Sequence, residues 1–132
     1  MNRSKEREQA FMLVFEKSFN PELSVEDIFS MAIESDFMKP SDFAQRLALT
    51  TVENIDEIDS KINEYSSGWT VDRITKVSLS ILRIAVCELL YMDDIPVGVS
   101  INEAVELAKT YAGKDDSQFI NGVLGAVSRN EK

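Results

Sequence analysis

Apolar residues recur at intervals of three and four along nearly the whole chain, which is the spacing of helices that bury one face. The first helix is predicted over about residues 4–18. A second helix is expected to begin at Ser24, because Ser24 and Asp27 have the spacing of a capping box, and to end before Pro40. Ser41 then has the position and the side chain of an N-cap for a third helix.

The middle of the chain predicts a break followed by a buried central helix. The β-branched residues 50–52 and Asn54 have low helix propensity, so a fourth helix is expected to start after them and to reach about Tyr65. The segment 66–68 has the composition of a loop. Residues 77–91 are apolar on nearly every face, and a helix of that kind is normally buried.

Two further helices complete the predicted elements. Ser100 and Glu103 have the spacing of a capping box, so we expect a helix to begin at Ser100. Asp116 or Ser117 is expected to cap the last helix. About seven helices and no strand pattern predict an all-α protein, and a length of 132 residues fits a single domain.

The charge of the chain bears on the class of partner. The net charge is -9, which by itself argues against nucleic acid, because phosphate binding depends mainly on cations. Residues 21–66 carry three basic and eleven acidic side chains and so contribute -8 of this total. The two ends of the chain are therefore close to neutral, and an RNA-binding surface built from them is compatible with the composition.

The residues that enzymes use most often are nearly absent. The chain has no histidine, which excludes histidine-based catalysis and histidine–metal ligation. Its one cysteine, Cys87, rules out an internal disulfide and lies within the apolar central helix, where an inert packed thiol is expected. We therefore expect neither an enzyme nor a cofactor.

The sequence predicts neither a metal site nor a membrane segment. The pairs at residues 93–94 and 115–116 lie at predicted helix boundaries, where carboxylates cap helices and favour the helix dipole, so no metal site is expected. The first seven residues are too polar for a signal peptide, and no apolar run approaches the about 18 residues of a membrane span. The cytoplasm is the expected location.

Two features leave a structural and a functional interpretation open. Arg3, Lys5 and Arg7 form a basic cluster that is either a solvated helix start or a phosphate-binding surface; the helix dipole disfavours cations there, which hints at binding. Phe119 lies one residue off the apolar stripe of the last helix, so its ring is either part of the core or exposed for stacking on a base.

The last third of the chain is a series of short blocks in a fixed order. After Trp69 and Asp72–Arg73, these blocks are Leu82–Ala85, Glu88–Tyr91, Ile95–Pro96, Ser100–Lys109 and Phe119–Leu124. In this order they resemble the C-terminal half of the NusB family, the transcription antitermination factors of bacteria. The first helix is similar to the family's Arg-x-x-Ala…Tyr pattern, with phenylalanine at position 15 in place of tyrosine, whereas residues 20–65 agree only in helical pattern and length.

The resemblance implies a fold and a function. The fold would be a single all-α, NusB-like domain of two packed bundles, at about residues 1–66 and 67–132. The protein would bind the boxA element of nascent RNA together with NusE, a ribosomal protein that doubles as a transcription factor, and help to assemble an antitermination complex on RNA polymerase at ribosomal RNA operons. The residues carried over are Arg3, Lys5, Arg7, Asp116, Ser117, Gln118 and Phe119 for RNA, and Phe15 and Ser78 for NusE.

Departures from the family pattern lead to a specific hypothesis. Glu6 and Glu8 dilute the basic cluster, and Phe15 lacks a hydroxyl, so we expect weak RNA binding alone and a composite site with NusE. On this hypothesis an Arg7→Glu change abolishes binding and leaves the fold intact.

A helical adaptor that binds protein but not RNA remains the alternative. The NusB-like domain of ribosomal RNA methyltransferases fits poorly, because this chain has no room for the methyltransferase. Whether the free protein is a monomer or a homodimer stays open.

Overall fold

The computed structural model describes residues 2–131, and across them the chain forms seven α-helices, one 3₁₀ turn and no strand. The elements are α1 (Arg3–Phe19), α2 (Val25–Glu34), α3 (Asp42–Glu53), α4 (Ile55–Tyr65), the 3₁₀ turn Val71–Arg73, α5 (Lys76–Tyr91), α6 (Val97–Tyr111) and α7 (Lys114–Glu131). The predicted all-α class and the number of helices are confirmed. Within the described residues no helix is both long and apolar enough to cross a membrane.

The helix starts predicted in the first half of the chain are confirmed. The Ser24 hydroxyl accepts the backbone N–H of Asp27 at 3.0 Å, and the Asp27 carboxylate accepts that of Ser24 at 3.3 Å, which completes the capping box. The Ser41 hydroxyl accepts the backbone N–H of Ala44 at 3.1 Å. Asn54 ends α3 and immediately precedes α4, as the break in the pattern predicted.

The predicted start of α6 is wrong. The helix begins at Val97, after Pro96, and the backbone N–H of Ser100 already bonds to the carbonyl of Pro96 at 3.2 Å. Proline supplies a fixed φ and needs no capping partner of its own, so the helix starts one turn earlier than the Ser100–Glu103 spacing suggests. The Ser100 hydroxyl instead donates to the Glu88 carboxylate of α5 at 2.8 Å.

The predicted cap of α7 is also wrong. This helix begins at Lys114, directly after Gly113, whose φ of +107° breaks the chain direction between α6 and α7. The backbone N–H of Ser117 bonds to the carbonyl of Gly113 at 3.0 Å, so Asp116 and Ser117 lie in the first helical turn. Neither side chain caps the helix, because the Asp116 carboxylate accepts from the Ser78 hydroxyl and the Ser117 hydroxyl donates to the carbonyl of Lys114.

Helix α5 is the centre of the molecule, as its all-round apolar pattern predicted. It is buried along almost its whole length and packs against α1, α3, α4, α6 and α7. Helices α1, α2 and α3 form one group, whereas α4 packs mainly against α5 and α7. Both groups share one continuous core.

The end of α7 is held against α4 by a small polar cluster. The Tyr65 hydroxyl donates to the Glu131 carboxylate at 2.6 Å, and the Lys61 ammonium lies 3.2 Å from the same carboxylate. The hydrogen bond from Tyr65, followed by that from Lys61, lowers the pKa of Glu131 from its ordinary 4.5. The ionised carboxylate is thus the form that the fold favours.

This cluster predicts an acid-dependent loss of stability. Because the folded-state pKa of Glu131 lies below its unfolded value, its contribution is present above about pH 4.5 and is lost as the pH falls through the folded-state pKa. In urea unfolding followed from neutral to acidic pH, Glu131→Gln is expected to lower stability at neutral pH and to converge with the parent protein in acid. Glu64→Gln, which removes another partner of Lys61, is the control and should show little change. A Glu131→Gln deficit that stays constant with pH would contradict this account.

Candidate nucleic-acid interface

Arg3 and Lys5 are exposed on the first turn of α1. Their side chains are 57% and 67% exposed, and they pair with Glu6 at 3.3 Å and with Glu8 at 3.8 Å. The Arg3 guanidinium also lies 4.0 Å above the ring centroid of Phe43. Solvent-exposed ion pairs of this kind stabilise a protein by only about 0–1 kcal/mol, so both cations are available to a phosphate.

Arg7 is buried, and this corrects the expectation that it contacts RNA. Its guanidinium forms two bonds to the Glu88 carboxylate, from Nε at 2.9 Å and from Nη2 at 3.0 Å, and Nη1 lies 3.3 Å from Glu103. Only 3% of the residue is exposed. Ser100 also donates to Glu88, and Ser4 donates to Glu103. A guanidinium enclosed by two carboxylates cannot reach a phosphate on the surface.

The arrangement also overturns the expected effect of Arg7→Glu. The change would place a third carboxylate against Glu88 and Glu103, in a site from which water is largely excluded. A fold left intact is therefore the wrong expectation. The role that the structure gives to Arg7 is to hold the start of α1 against α5 and α6, which fixes where Arg3 and Lys5 lie.

The predicted residues of α7 separate into accessible and buried side chains. Gln118 is exposed, and Asp116 and Phe119 are half-buried. Ser117 is buried, and its hydroxyl donates to the carbonyl of Lys114 in its own helix at 2.7 Å. Three of the four α7 candidates thus reach the surface, and Ser117 does not.

Ser78 connects the start of α5 to the start of α7. Its hydroxyl donates to the Asp116 carboxylate at 2.9 Å, and only 2% of the residue is exposed. The expectation that Ser78 touches a partner directly is therefore corrected, because its side chain is enclosed. Ser78 therefore acts on the binding surface only indirectly, by fixing the position of the Asp116 carboxylate.

A pocket of about 330 Å³ opens beside this pair. Trp69 and Phe119 form two of its walls, with their ring centroids 6.5 Å apart and their planes inclined at 70°. The Arg73 guanidinium lies 5.7 Å from the Trp69 ring centroid, and Trp69 is 52% exposed. Asp116 and Ser78 supply polar groups to the lining. Aromatic faces beside a cation and a hydrogen-bonding group are what an unpaired base binds.

Sequence reasoning did not assign Trp69 and Arg73 to a site. The two residues entered only as part of the family pattern, about fifty positions before Phe119. The usable signal was a tryptophan next to the loop 66–68, because a large aromatic residue beside a loop is often exposed.

Hydrogen bonding from Thr70 lowers the pKa of Asp72 in the same turn, which keeps that carboxylate ionised.

The basic patch of α1 and this pocket lie at opposite ends of the α1–α5 helix pair. Helices α1 and α5 run antiparallel: Arg7 meets Glu88 near the end of α5, and Lys76, at its start, donates to the carbonyl of Ser18 at 3.5 Å. At 1.5 Å per residue, α1 alone separates Arg3 from this end by about 20 Å. The structure therefore places the predicted RNA residues in two patches rather than in one.

Phe15 lies near the end of α1 and does not line the aromatic pocket. Its ring contacts those of Phe11 and Phe19, with centroids 5.9 Å and 4.9 Å apart, and it is half-buried. It lines a separate apolar groove between α1 and α2. Phe19 next to it is 55% exposed. The end of α1 thus presents an apolar surface, which fits contact with protein better than contact with RNA.

Cys87 has the environment of a structural thiol. It is completely buried in α5, and this burial raises its pKa to about 11. Since the thiolate is the reactive form, the side chain stays protonated and unreactive near neutral pH. The two charged residues inside α5 are paired with other helices: Glu88 binds Arg7, and Arg83 binds Asp59 with two contacts of 2.8 Å.

Comparison with known proteins places these features in a family. The family model described as the NusB family matches residues 4–129. The chain is 42% identical to the transcription antitermination protein NusB of Natranaerobius thermophilus, over 97% of this chain and 95% of that protein. It is 44% identical to the protein of the same name from Clostridium acetobutylicum, over 95% and 93%. The NusB chain in a crystal structure of antitermination factors NusB and NusE in complex with dsRNA superposes with a TM-score of 0.83 at 29% identity, covering 98% of each chain.

Proposed function

This chain belongs to the NusB family, and we propose that it binds boxA RNA together with NusE and helps to assemble an antitermination complex on RNA polymerase at ribosomal RNA operons. Its relatives are named as transcription antitermination proteins. A structural neighbour is a complex of NusB, NusE and dsRNA. Because nascent RNA is the target of this function, the cytoplasm is the location that we propose.

The aromatic pocket is the observation that carries RNA binding. Trp69 and Phe119 expose ring surface next to the Arg73 guanidinium, and Asp116 adds an acceptor for the amino group of a base. Gln118 is exposed beside Phe119 on the same helix. We propose that this patch binds unpaired bases, since stacking on aromatic rings is the main way in which proteins hold them.

The phosphates are assigned to the other patch. Arg3 and Lys5 are exposed cations on the first turn of α1. The buried Arg7 fixes the position of this turn through its ion pairs with Glu88 and Glu103. With a net charge of -9 and two exposed cations on the first turn of α1, binding to RNA alone should be weak, which is why we assign NusE a share of the RNA surface.

We propose that NusE contacts the end of α1 around Phe15 and the start of α5. Phe15 offers a half-buried ring and Phe19 an exposed one. The Ser78–Asp116 hydrogen bond lies at the start of α5, between this surface and the aromatic pocket. A partner bound here would border directly on RNA in the pocket, and the two would stabilise each other's binding.

The experiment that tests the function is a titration of labelled boxA RNA and of a scrambled RNA, with and without NusE, at two salt concentrations. We expect boxA-selective binding that NusE strengthens. Each phosphate contact should change log K by about 0.7 per decade of salt. Arg3→Ala with Lys5→Ala should reduce this slope by up to about 1.4 if both contact phosphate. A folded protein that binds neither RNA under any condition would support the helical adaptor function instead.

A further inference from the structure

A large groove lies away from the proposed RNA site. It is a groove of about 570 Å³ between α1 and α2, continuing to the segment that follows α2. Its lining is mostly apolar and includes three of the five methionines of the chain, Met12, Met31 and Met38. Met31 is 51% exposed and Phe37, at the end of the groove, is 68% exposed.

An apolar surface of this size and shape indicates a binding partner. Soluble proteins seldom expose contiguous apolar patches unless something covers them. Methionine side chains are flexible and polarizable, which suits a groove that accepts an apolar helix face. The floor includes Ile28, Ala32 and Ser35, at helical spacing along α2, which gives the elongated shape that a helix fits.

The rim of the groove is acidic. Residues 21–39 contain five acidic side chains and one basic side chain, Lys39 at the end of the groove. Asp27 and Glu34 lie four residues before and three residues after Met31, so both flank it on the surface of α2. Glu16 of α1 lines the opposite side. The nearby Lys17 donates to the carbonyls of the loop between α1 and α2 and does not neutralise this rim.

We propose that this groove binds a basic amphipathic helix of a protein partner. The apolar floor takes the hydrophobic face of that helix, and the acidic rim pairs with lysine or arginine on its flanks. A second copy of this chain fits poorly, because pairing two grooves would bring two acidic rims together on chains that each carry a net charge of -9. No residue assigned to RNA lines the groove, and it shares only Phe15 with the surface proposed for NusE. The inference goes beyond the proposed function because it assigns the α2 side of the groove to a basic helix.

Methionine methyl NMR tests the proposal directly. The probe is a synthetic helical peptide of about 18 residues, with leucine on one face and lysine elsewhere. We expect the methyl signals of Met12, Met31 and Met38 to shift in a saturable way. Met92, which is buried at the end of α5, should not move and serves as the internal control. The same peptide with glutamate in place of lysine should not bind.

Two matched variants locate the binding surface. Met31→Asp is expected to weaken peptide binding by more than tenfold, because it places a charge on the apolar floor. Ile33→Asp is its control: Ile33 is 54% exposed on the same helix, lies about 200° around the helix axis from Met31 and does not line the groove. Unfolding midpoints of both variants establish that α2 is still folded.

Three results would overturn the proposal. They are the absence of saturable shifts, equal weakening by Met31→Asp and Ile33→Asp, and shifts that include Met92. Sedimentation of the protein alone adds a fourth: self-association that Met31→Asp abolishes would make a second copy the occupant. The RNA titration uses other residues and another probe, so failure of the groove proposal and failure of the proposed function are distinguishable.

Discussion

Replacing Arg7 by alanine is expected to lower the free energy of unfolding by about 3–5 kcal/mol, because it leaves the Glu88 carboxylate buried without its cation. The folded state of a domain is stabilised by only about 5–15 kcal/mol in total. The variant should therefore lose a large part of its stability. Urea unfolding at neutral pH, followed by circular dichroism, measures the loss.

The control for this prediction lies one turn away. Arg3→Ala also removes an arginine from the start of α1, but its ion pair with Glu6 is exposed, so stability should change by no more than about 0.5 kcal/mol. Replacing the whole pair, by Arg7→Met with Glu88→Leu, should recover much of the loss, since no unpaired charge then remains at position 88. Equal effects of Arg7→Ala and Arg3→Ala would refute the structural role of Arg7.

The wrong assignment of Arg7 shows that a local sequence pattern does not reveal whether a charged residue is buried by distant partners. From the sequence, Arg3, Lys5 and Arg7 are alternating basic residues at the start of a helix, and nothing distinguishes the third. Their environments differ because the partners of Arg7 are 81 and 96 positions away, on α5 and α6. The nearest signal in the sequence is Glu88, since a charge inside an apolar helix needs a partner.

Helix positions were predictable where local interactions determine them. Capping by Ser24 and Ser41 depends on neighbours three residues away, and both were predicted correctly. The start of α6 was missed because Ser100 and Glu103 imitate a capping box although their side chains bond to α5 and α1. The apparent capping box was therefore misleading, because these two polar side chains form hydrogen bonds to other helices instead.

The sequence could not predict that Trp69 and Phe119 lie together in one pocket. Phe119 was a candidate for stacking or for the core, and Trp69 was only a marker of the family. Packing of α7 against α5 brings them together, and the Ser78–Asp116 bond fixes the floor between them. The pocket is therefore a product of tertiary structure, and only its separate parts are visible in the sequence.

Removing the Phe119 ring is expected to weaken the affinity of the NusE-bound protein for boxA RNA by about 5- to 150-fold, which corresponds to about 1–3 kcal/mol for one stacked base. Trp69 is the only tryptophan in the chain, so its fluorescence reports on the pocket. A base that stacks on the exposed ring surface of the pocket should quench this fluorescence as RNA is added. In Phe119→Ala the quenching should shift to higher RNA concentration together with the loss of affinity.

Phe37→Ala is the matched control, because that ring is 68% exposed but lies at the groove between α1 and α2. It should leave RNA affinity and quenching unchanged. A second comparison separates stacking from charge: Arg73→Gln removes the cation beside Trp69 and should reduce the dependence of binding on salt, whereas Phe119→Ala should not. If boxA RNA binds tightly without any change in Trp69 fluorescence, the bases lie elsewhere and the pocket is not the site. If affinity and fluorescence change together, the pocket is part of the RNA-binding surface even though the chain as a whole is strongly acidic.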